Sequence, residues 1–118
     1  MPALMIALLL AAAPEGATPE VMSKLAPAFG GTITSTYKDG RQGKLNLSRD
    51  GTYRYRGRTN KASSGVWDVN NGSTICLHQK KPIGIGKYCT PIPAGKTWRA
   101  KAVGGEMVTL RVVGGGKS

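Results

Sequence analysis

Apolar and polar residues alternate along most of the chain from Thr32 onward, and turn signals interrupt the alternation at short intervals. Asp39-Gly40, Asp50-Gly51 and Asn71-Gly72 lie between alternating runs, and both kinds of dipeptide accept the positive φ angles of tight hairpins. The pattern predicts an all-β fold, a small antiparallel meander barrel or sandwich of about eight strands. The predicted strands are 32–38, 44–49, 52–58, 65–70, 73–79, 87–92, 97–102 and 107–113.

The alternation also sorts the residues onto two faces, because successive side chains of a strand point in opposite directions. An antiparallel sheet that closes on itself needs one buried and one solvated face. The predicted inner face contains Ile33, Tyr37, Leu45, Leu47, Tyr53, Tyr55, Trp67, Val69, Ile75, Leu77, Tyr88, Ile92, Trp98, Ala100, Val108, Leu110 and Val112. The predicted outer face contains Lys44, Asn46, Arg54, Arg56, Arg58, Asp68, Lys87, Arg99, Lys101 and Arg111.

The N-terminal segment is uncharged and strongly apolar from Leu4 to Ala13. This run is too short for a membrane span, which needs about 20 apolar residues, and its small-residue end is typical of a secretory signal peptide. A buried N-terminal helix is the alternative. We expect a signal peptide and the start of a linker over 1–17 with cleavage near 12–17, a short helix and approach to the sheet over 18–31, a β domain over 32–113, and a flexible tail over 114–118. The helix is predicted to begin at Pro19, with Thr18 as its N-cap, and to stop before Pro27.

Several features of the sequence together resemble a known class of proteins. They are a predicted short helix, Gly30-Gly31, and the segments DGTYRYRG, SGVWDV and ICLHQ followed by KYC. The chain resembles small exported bacterial β-barrel proteins of lipocalin-like (calycin) type with uncharacterised function. The resemblance spans about Phe29 to Val113 and rests on the strand pattern and the cysteine pair. The chain has Gly31-Thr32-Ile33 in place of the lipocalin Gly-x-Trp at the first strand, and the resemblance carries over no functional residue.

Residues 73–92, STICLHQKKPIGIGKYCTPI, hold both cysteines and the only histidine. GIGKYC has a cysteine where a dinucleotide fingerprint needs its third glycine, and no helix follows to receive a phosphate. Cys76, His78 and Cys89 offer three metal ligands, whereas a structural zinc site takes four. We therefore predict a cross-strand disulfide between Cys76 and Cys89 and no metal or other cofactor.

Catalytic groups are sparse in this sequence. Asp39, Asp50 and Glu106 fall in predicted turns, and only Asp68 lies within a strand. No two carboxylates share a site by pattern, and His78 has no evident partner. We therefore expect a protein that is not an enzyme.

The sequence feature that does indicate a function is the charge. The chain has 17 Lys and Arg and 6 acidic residues, which gives a formal net charge of +11. Such a field attracts polyanions without identifying them. The sequence predicts a periplasmic or secreted binding protein for an acidic glycan, lipopolysaccharide or lipid phosphate. Nucleic acid is a weaker candidate, because alternation places the rings that would stack on bases opposite the cations. The predicted anion-binding residues are Arg54, Arg56, Arg58, Arg99 and Lys101.

Two other hypotheses remain open. The cations could serve solubility alone. Alternatively, the glycine-rich loop 80–86 could bind a secreted protein, for example as an inhibitor of a hydrolase, because isoleucines between glycines are unusual in a loop that only meets solvent. The predicted contact residues of that loop are Lys80, Lys81, Ile83 and Ile85.

Overall fold

The structure is a computed structural model and describes residues 14–83, 86–92, 95–102 and 105–114. Within these ranges one helix, one 3₁₀ turn and eight strands form in chain order, so the predicted all-β class is confirmed. The elements are α1 (Pro19–Leu25), the 3₁₀ turn Ala26–Ala28, β1 (Gly31–Thr36), β2 (Gln42–Leu47), β3 (Thr52–Arg56), β4 (Ala62–Asn70), β5 (Thr74–Lys81), β6 (Lys87–Pro91), β7 (Thr97–Lys101) and β8 (Met107–Gly114).

The eight strands form one antiparallel sheet in the order β6-β5-β4-β3-β2-β1-β8-β7. Hairpins join neighbours through most of this order, and β8 returns to pair with β1, with Ile33 opposite Val112. The sheet curls into a nearly closed barrel whose seam lies between β6 and β7. Across that seam the Tyr88 hydroxyl donates a hydrogen bond to the Lys101 carbonyl.

The hairpin turns follow the predicted dipeptides. Asn71 and Gly72 both have positive φ, 54° and 66°, and the Ser73 amide donates a 3.1 Å hydrogen bond to the Asn70 carbonyl, which is the backbone of a type I′ turn. Gly51 has φ 93°, and the Asp50 carboxylate accepts a 3.0 Å hydrogen bond from the Thr52 amide. These local bonds fix the register of each hairpin, and register decides which face every side chain occupies.

The predicted division into inner and outer faces is confirmed. The inner residues are buried or packed against the buried core, and the predicted outer cations are exposed. At one end of the barrel, α1 and the segment after it close the core. Thr18 caps α1 as predicted, accepting a 3.3 Å bond from the Val21 amide. Leu25 and Phe29 are buried there, and the Phe29 ring lies 6.0 Å from that of Trp67.

Several element boundaries differ from the sequence-based prediction, and three of the differences follow from specific contacts. First, β3 ends at Arg56 and β4 begins at Ala62, because residues 57–61 form a turn in which Asn60 has φ 67° and the Gly57 amide bonds to the Lys61 carbonyl. Second, Gly114 ends β8 and pairs with Gly31, so the predicted tail 114–118 begins one residue too early; residues 115–118 lie outside the described part.

The third difference concerns the predicted linker after the leader. Pro14 is buried, and the Glu15 carbonyl accepts a 2.9 Å hydrogen bond from the Val69 amide. A Cβ on Gly16 would overlap the Val69 carbonyl, so the segment needs glycine to approach β4 this closely. Residues 14–17, where the sequence predicts the start of a linker, thus contact the folded domain in this structure. The predicted signal peptide over 1–13 lies outside the described residues.

Within the described residues, no helix has the length and apolar character needed to cross a membrane.

Candidate functional site: a basic groove on the outer face

The five predicted anion-binding residues do not form one surface. Arg54 and Arg56 lie on β3, whereas Arg99 and Lys101 lie on β7. The two strands are separated by β2, β1 and β8 in one direction and by β4, β5, β6 and the seam in the other. They therefore occupy opposite sides of the barrel. All four side chains are exposed, as predicted, and the β3 pair lines a groove.

A groove crosses the outer face of β2, β3 and β4 and ends against the start of the loop after β5. Arg56 lies directly opposite Lys44 in the ladder, and Arg54 lies opposite Ser64 on its other side. Directly opposed side chains on a sheet are about 5 Å apart at Cβ, so the charged heads can reach one ligand group together. We call this site the basic groove. Its lining residues are Lys44, Asn46, Arg54, Tyr55, Arg56, Ala62, Ser63, Ser64, Lys81 and Pro82.

Four of the groove residues are cations and none is acidic. No carboxylate in the described residues forms an ion pair with Lys44, Arg54 or Lys81. Arg56 donates hydrogen bonds to the backbone and side-chain oxygens of Asn60, at 3.0 and 3.3 Å, which orients its guanidinium without neutralising it. The groove therefore presents positive charge that no protein carboxylate neutralises.

A break in the ladder brings the fourth cation to the groove. The register between β4 and β5 shifts at Ser64 and Gly65, so that Ser64 comes opposite Lys81. A Cβ on Gly65 would overlap the His78 carbonyl, so glycine permits this close approach of the two backbones. The irregularity brings Lys81 opposite Ser64 and so adds Lys81 to the groove lining.

Arg58, the remaining predicted anion-binding residue, has another contact. Its guanidinium lies 4.2 Å from the centroid of the Tyr37 ring and 3.2 Å from the Glu106 carboxylate. A cation that is already paired and stacked is a poor ligand for an external anion. Arg58 instead connects three turns, those after β1, β3 and β7, at the end of the barrel opposite α1.

The predicted disulfide between Cys76 and Cys89 is confirmed. The cysteines are direct partners on β5 and β6 and lie on the outer face, although Cys76 is fully buried. The bond fastens β6, an end strand of the sheet, to the barrel.

We expect Cys76→Ala and Cys89→Ala each to lower the free energy of unfolding by about 2 to 3 kcal/mol, because the unfolded chain loses a crosslink that restricts it. Denaturant unfolding of the two variants and of the double variant measures this. Equal losses in all three identify the bond as the cause. A much larger loss in Cys76→Ala alone would show that packing of its buried sulfur, and not the crosslink, supplies the stability.

His78 has a partner, contrary to the sequence-based expectation. Its Nε2 lies 2.9 Å from Oδ2 of Asp68, and both side chains are partly exposed on the outer face beside the disulfide. The register places His78 opposite Val66 and Cys76 opposite Asp68. His78 and Asp68 are therefore diagonal neighbours on the same face of the sheet. No third His, Cys, Asp or Glu joins a metal-binding group with this pair among the described residues.

The loop after β5 presents a large apolar side chain to solvent. Ile83 is 99% exposed. The residue before it, Pro82, accepts a 2.9 Å hydrogen bond at its carbonyl from the Gln79 side chain. Lys80 and Lys81 are exposed as well, while Ile85 lies outside the described residues.

The barrel interior contains a cavity that the sequence did not predict. Its volume is about 270 Å³, and it lies at the end opposite α1. Tyr55 at this end is half-buried, and burial together with a hydrogen bond that its hydroxyl donates to Tyr37 raises its pKa to about 12. The phenol therefore stays neutral and able to donate a hydrogen bond at physiological pH.

Tyr55 should make the fold sensitive to alkali. The folded pKa of about 12 exceeds the ordinary value of 10.0, so the neutral phenol stabilises the fold fully below pH 10. That stabilisation is lost as pH rises through about 12, because only the unfolded chain ionises easily over this range. We expect the free energy of unfolding to fall across this window, and to fall less in Tyr55→Phe. Identical alkaline profiles for the two proteins would contradict the assignment.

Comparison of the chain with protein-family models, curated proteins and solved structures finds no match. The resemblance to lipocalin-like barrels therefore stays a prediction.

Proposed function

We propose that this protein is a non-catalytic binding protein that holds phosphate or sulfate groups of an anionic glycan, lipopolysaccharide or lipid in the basic groove. The observation that carries the proposal is the groove's composition of four cations and no acidic residue. Arginine guanidinium groups bind such oxyanions through paired N–H donors, and lysine adds a mobile point charge. Ser64 and Asn46 supply uncharged polar groups between the cations.

We infer that the protein acts outside the cytoplasm, in the periplasm or after secretion. The disulfide supports this, because such bonds persist mainly in oxidising compartments. The packing of Pro14 to Ala17 against β4 favours signal-peptide cleavage after Ala12 or Ala13, since cleavage after Ala17 would remove the hydrogen bond between Glu15 and Val69. N-terminal sequencing of the native protein identifies the cleavage site.

The salt dependence of binding tests the proposed function. If a ligand neutralises the four groove cations, log K should fall with log salt at a slope of about −3 to −4, by analogy with phosphate contacts to DNA. Immobilised heparin provides sulfate groups, and vesicles that contain an anionic phospholipid provide lipid phosphate. Binding to one support alone distinguishes glycan from lipid, and no saturable binding to either contradicts the proposal.

A second candidate function rests on Ile83, which is 99% exposed beside the groove. Large apolar side chains with this much exposure are typical of residues that insert into a partner protein. Under this alternative, a secreted protein such as a hydrolase would be bound through residues 80–86 with little dependence on salt. Ile83→Ser would abolish capture of that protein and leave heparin binding unchanged.

A further inference from the structure

The end of the barrel opposite α1 is strongly basic. The turns after β1, β3, β5 and β7 all lie there. Its exposed cations are Lys38, Arg41, Arg58, Lys61, Lys80 and Lys81. Asp39 is paired with Arg41 at 3.8 Å. Glu106 is paired with Arg58 at 3.2 Å. The lysines form no ion pair with a described carboxylate, so their positive charge is not neutralised. We call this surface the basic end.

The α1 end carries no such excess of positive charge. Its charged residues in the described part of the chain are Lys24, Arg49, Lys96, Glu15, Glu20 and Asp50. Three cations thus accompany three carboxylates, and Lys24 contacts Glu20 at 3.7 Å. The charge is therefore uneven along the barrel axis, and the field of the protein turns the basic end toward an anionic surface.

An apolar side chain projects from the basic end. Ile83 is 99% exposed, and Pro82 before it is exposed as well. The Gln79 amide donates a 3.0 Å hydrogen bond to the Gly86 carbonyl, and Ile83 lies beyond this bond in the connection between β5 and β6. Removing such a side chain from water strengthens binding by about 10- to 100-fold. Ile83 is therefore a candidate anchor beside the cations.

The surroundings of Ile83 favour a lipid bilayer over a protein pocket. The core of a protein interface is usually a continuous apolar patch. Met107, 37% exposed, is the other large apolar side chain exposed at this end among the described residues, and β6, β7 and the seam separate it from Ile83. Ile83 is thus an isolated apolar group beside Lys80 and Lys81. Hydrocarbon accepts one apolar side chain of any shape, while neighbouring lysines keep their stems in apolar surroundings and their charges at the phosphates.

We propose that the basic end docks on an anionic lipid bilayer, with Ile83 inserted among the upper parts of the acyl chains and the lysines at the lipid phosphates. The basic groove reaches this end, because Arg56 ends β3 and Lys81 ends β5. A lipid phosphate can therefore enter the groove from the bilayer surface. The inference rests on the proposed function and names a bilayer, rather than a free glycan, as the partner of the groove.

Cosedimentation with vesicles of equal parts phosphatidylcholine and phosphatidylglycerol tests the role of Ile83. Ile83→Ser should weaken vesicle binding about 10- to 100-fold. It should leave heparin binding unchanged, because heparin offers sulfate groups and no hydrocarbon. Val113→Ser is the matched control, since Val113 is 51% exposed but lies near the α1 end of β8, and it should not change vesicle binding.

Unchanged vesicle affinity in Ile83→Ser would overturn the inference, while saturable heparin binding by the same protein would leave the proposed function standing. If Ile83→Ser abolishes capture of a secreted protein and vesicle binding is unaffected, the residue is a protein contact and the bilayer is not the partner.

Ile83→Trp measures insertion directly. Trp67 is buried and Trp98 is partly buried in the barrel core. Anionic vesicles with brominated acyl chains should therefore quench the fluorescence of the indole introduced at the loop and leave that of the parent protein nearly unchanged. Equal quenching in the bound variant and the bound parent would place the loop outside the hydrocarbon and refute insertion.

The orientation on the bilayer is tested with charge reversals outside the groove. Lys38→Glu with Lys61→Glu alters the basic end, and neither residue lines the groove. This variant should lose at least tenfold in affinity for the anionic vesicles. Lys24→Glu with Lys96→Glu makes the same change in net charge at the α1 end and should lose much less. Equal losses would overturn the proposed orientation. If reversing the two groove arginines has no effect while the Lys38 and Lys61 variant loses affinity, the basic end docks without the groove and the proposed function alone fails.

Discussion

Trp67→Ala is expected to lower the free energy of unfolding by about 3 to 5 kcal/mol, the usual range for truncating a large buried aromatic residue. The Trp67 side chain is only 2% exposed and contacts the Phe29 ring at the α1 end of the barrel. Its Nε1 also donates a 2.9 Å hydrogen bond to the Ser48 carbonyl, which would lose its partner. Because a domain of this size has a total stability of about 5 to 15 kcal/mol, the variant should be close to its folding limit at 37 °C.

Val66→Ala is the matched control for this prediction. Val66 precedes Trp67 on β4 but points outward and is 40% exposed, so its truncation should change stability by less than about 0.5 kcal/mol. Trp67→Phe separates the hydrogen bond to Ser48 from the bulk of the ring. Thermal and denaturant unfolding measure all three variants. A larger loss for Val66→Ala than for Trp67→Ala would show that β4 presents the opposite face to the core.

The two-residue period explains why so much of the fold was predictable from the sequence. A strand that alternates Leu45 and Leu47 with Lys44 and Asn46 can bury only one of its faces, whichever strands it pairs with. Asp-Gly and Asn-Gly turns then fix each hairpin locally. The prediction failed where these signals were weak. Ala62 to Ser64 carry no large apolar side chain, so the alternation predicts a later start for β4 than the structure has.

The candidate site required information that local patterns do not contain. Alternation placed Arg54 and Arg99 outside the barrel, but only the strand order shows that they lie on opposite sides. The groove depends on Lys44 being opposite Arg56 and on the register shift that brings Lys81 beside Ser64. The pairing of His78 with Asp68 likewise depends on the register of β4 and β5. Long-range register follows from the whole sheet and not from any one segment.

The cavity was missed for a different physical reason. A pattern of apolar and polar positions states which side chains point inward but not whether their volumes fill the barrel. Large rings such as Trp67 fill the α1 end, whereas Ser35 and Ser63 leave space at the other. The inward-pointing serines were the available signal, since a small polar residue at a core position is unusual where packing alone decides the residue.

Reversing the charge of the basic groove should have the largest effect on binding. Arg54→Glu with Arg56→Glu changes the charge of the groove by four units. At about 1 kcal/mol for each unit charge near an anionic surface, the loss is about 4 kcal/mol, or roughly a 1,000-fold lower affinity for heparin or anionic vesicles. Both side chains are exposed, so the fold should be retained, which circular dichroism and thermal unfolding check.

The other side of the barrel provides the control for this experiment. Arg99→Glu with Lys101→Glu makes the same change in net charge on β7, across the barrel from the groove. At 0.15 M salt the screening length is about 8 Å, so charges on that side act only weakly on a ligand in the groove. We expect this variant to lose less than tenfold in affinity. Equal losses in the two variants would mean that the total charge attracts the ligand and that the groove is not a site. If neither variant loses affinity, the cations serve solubility alone.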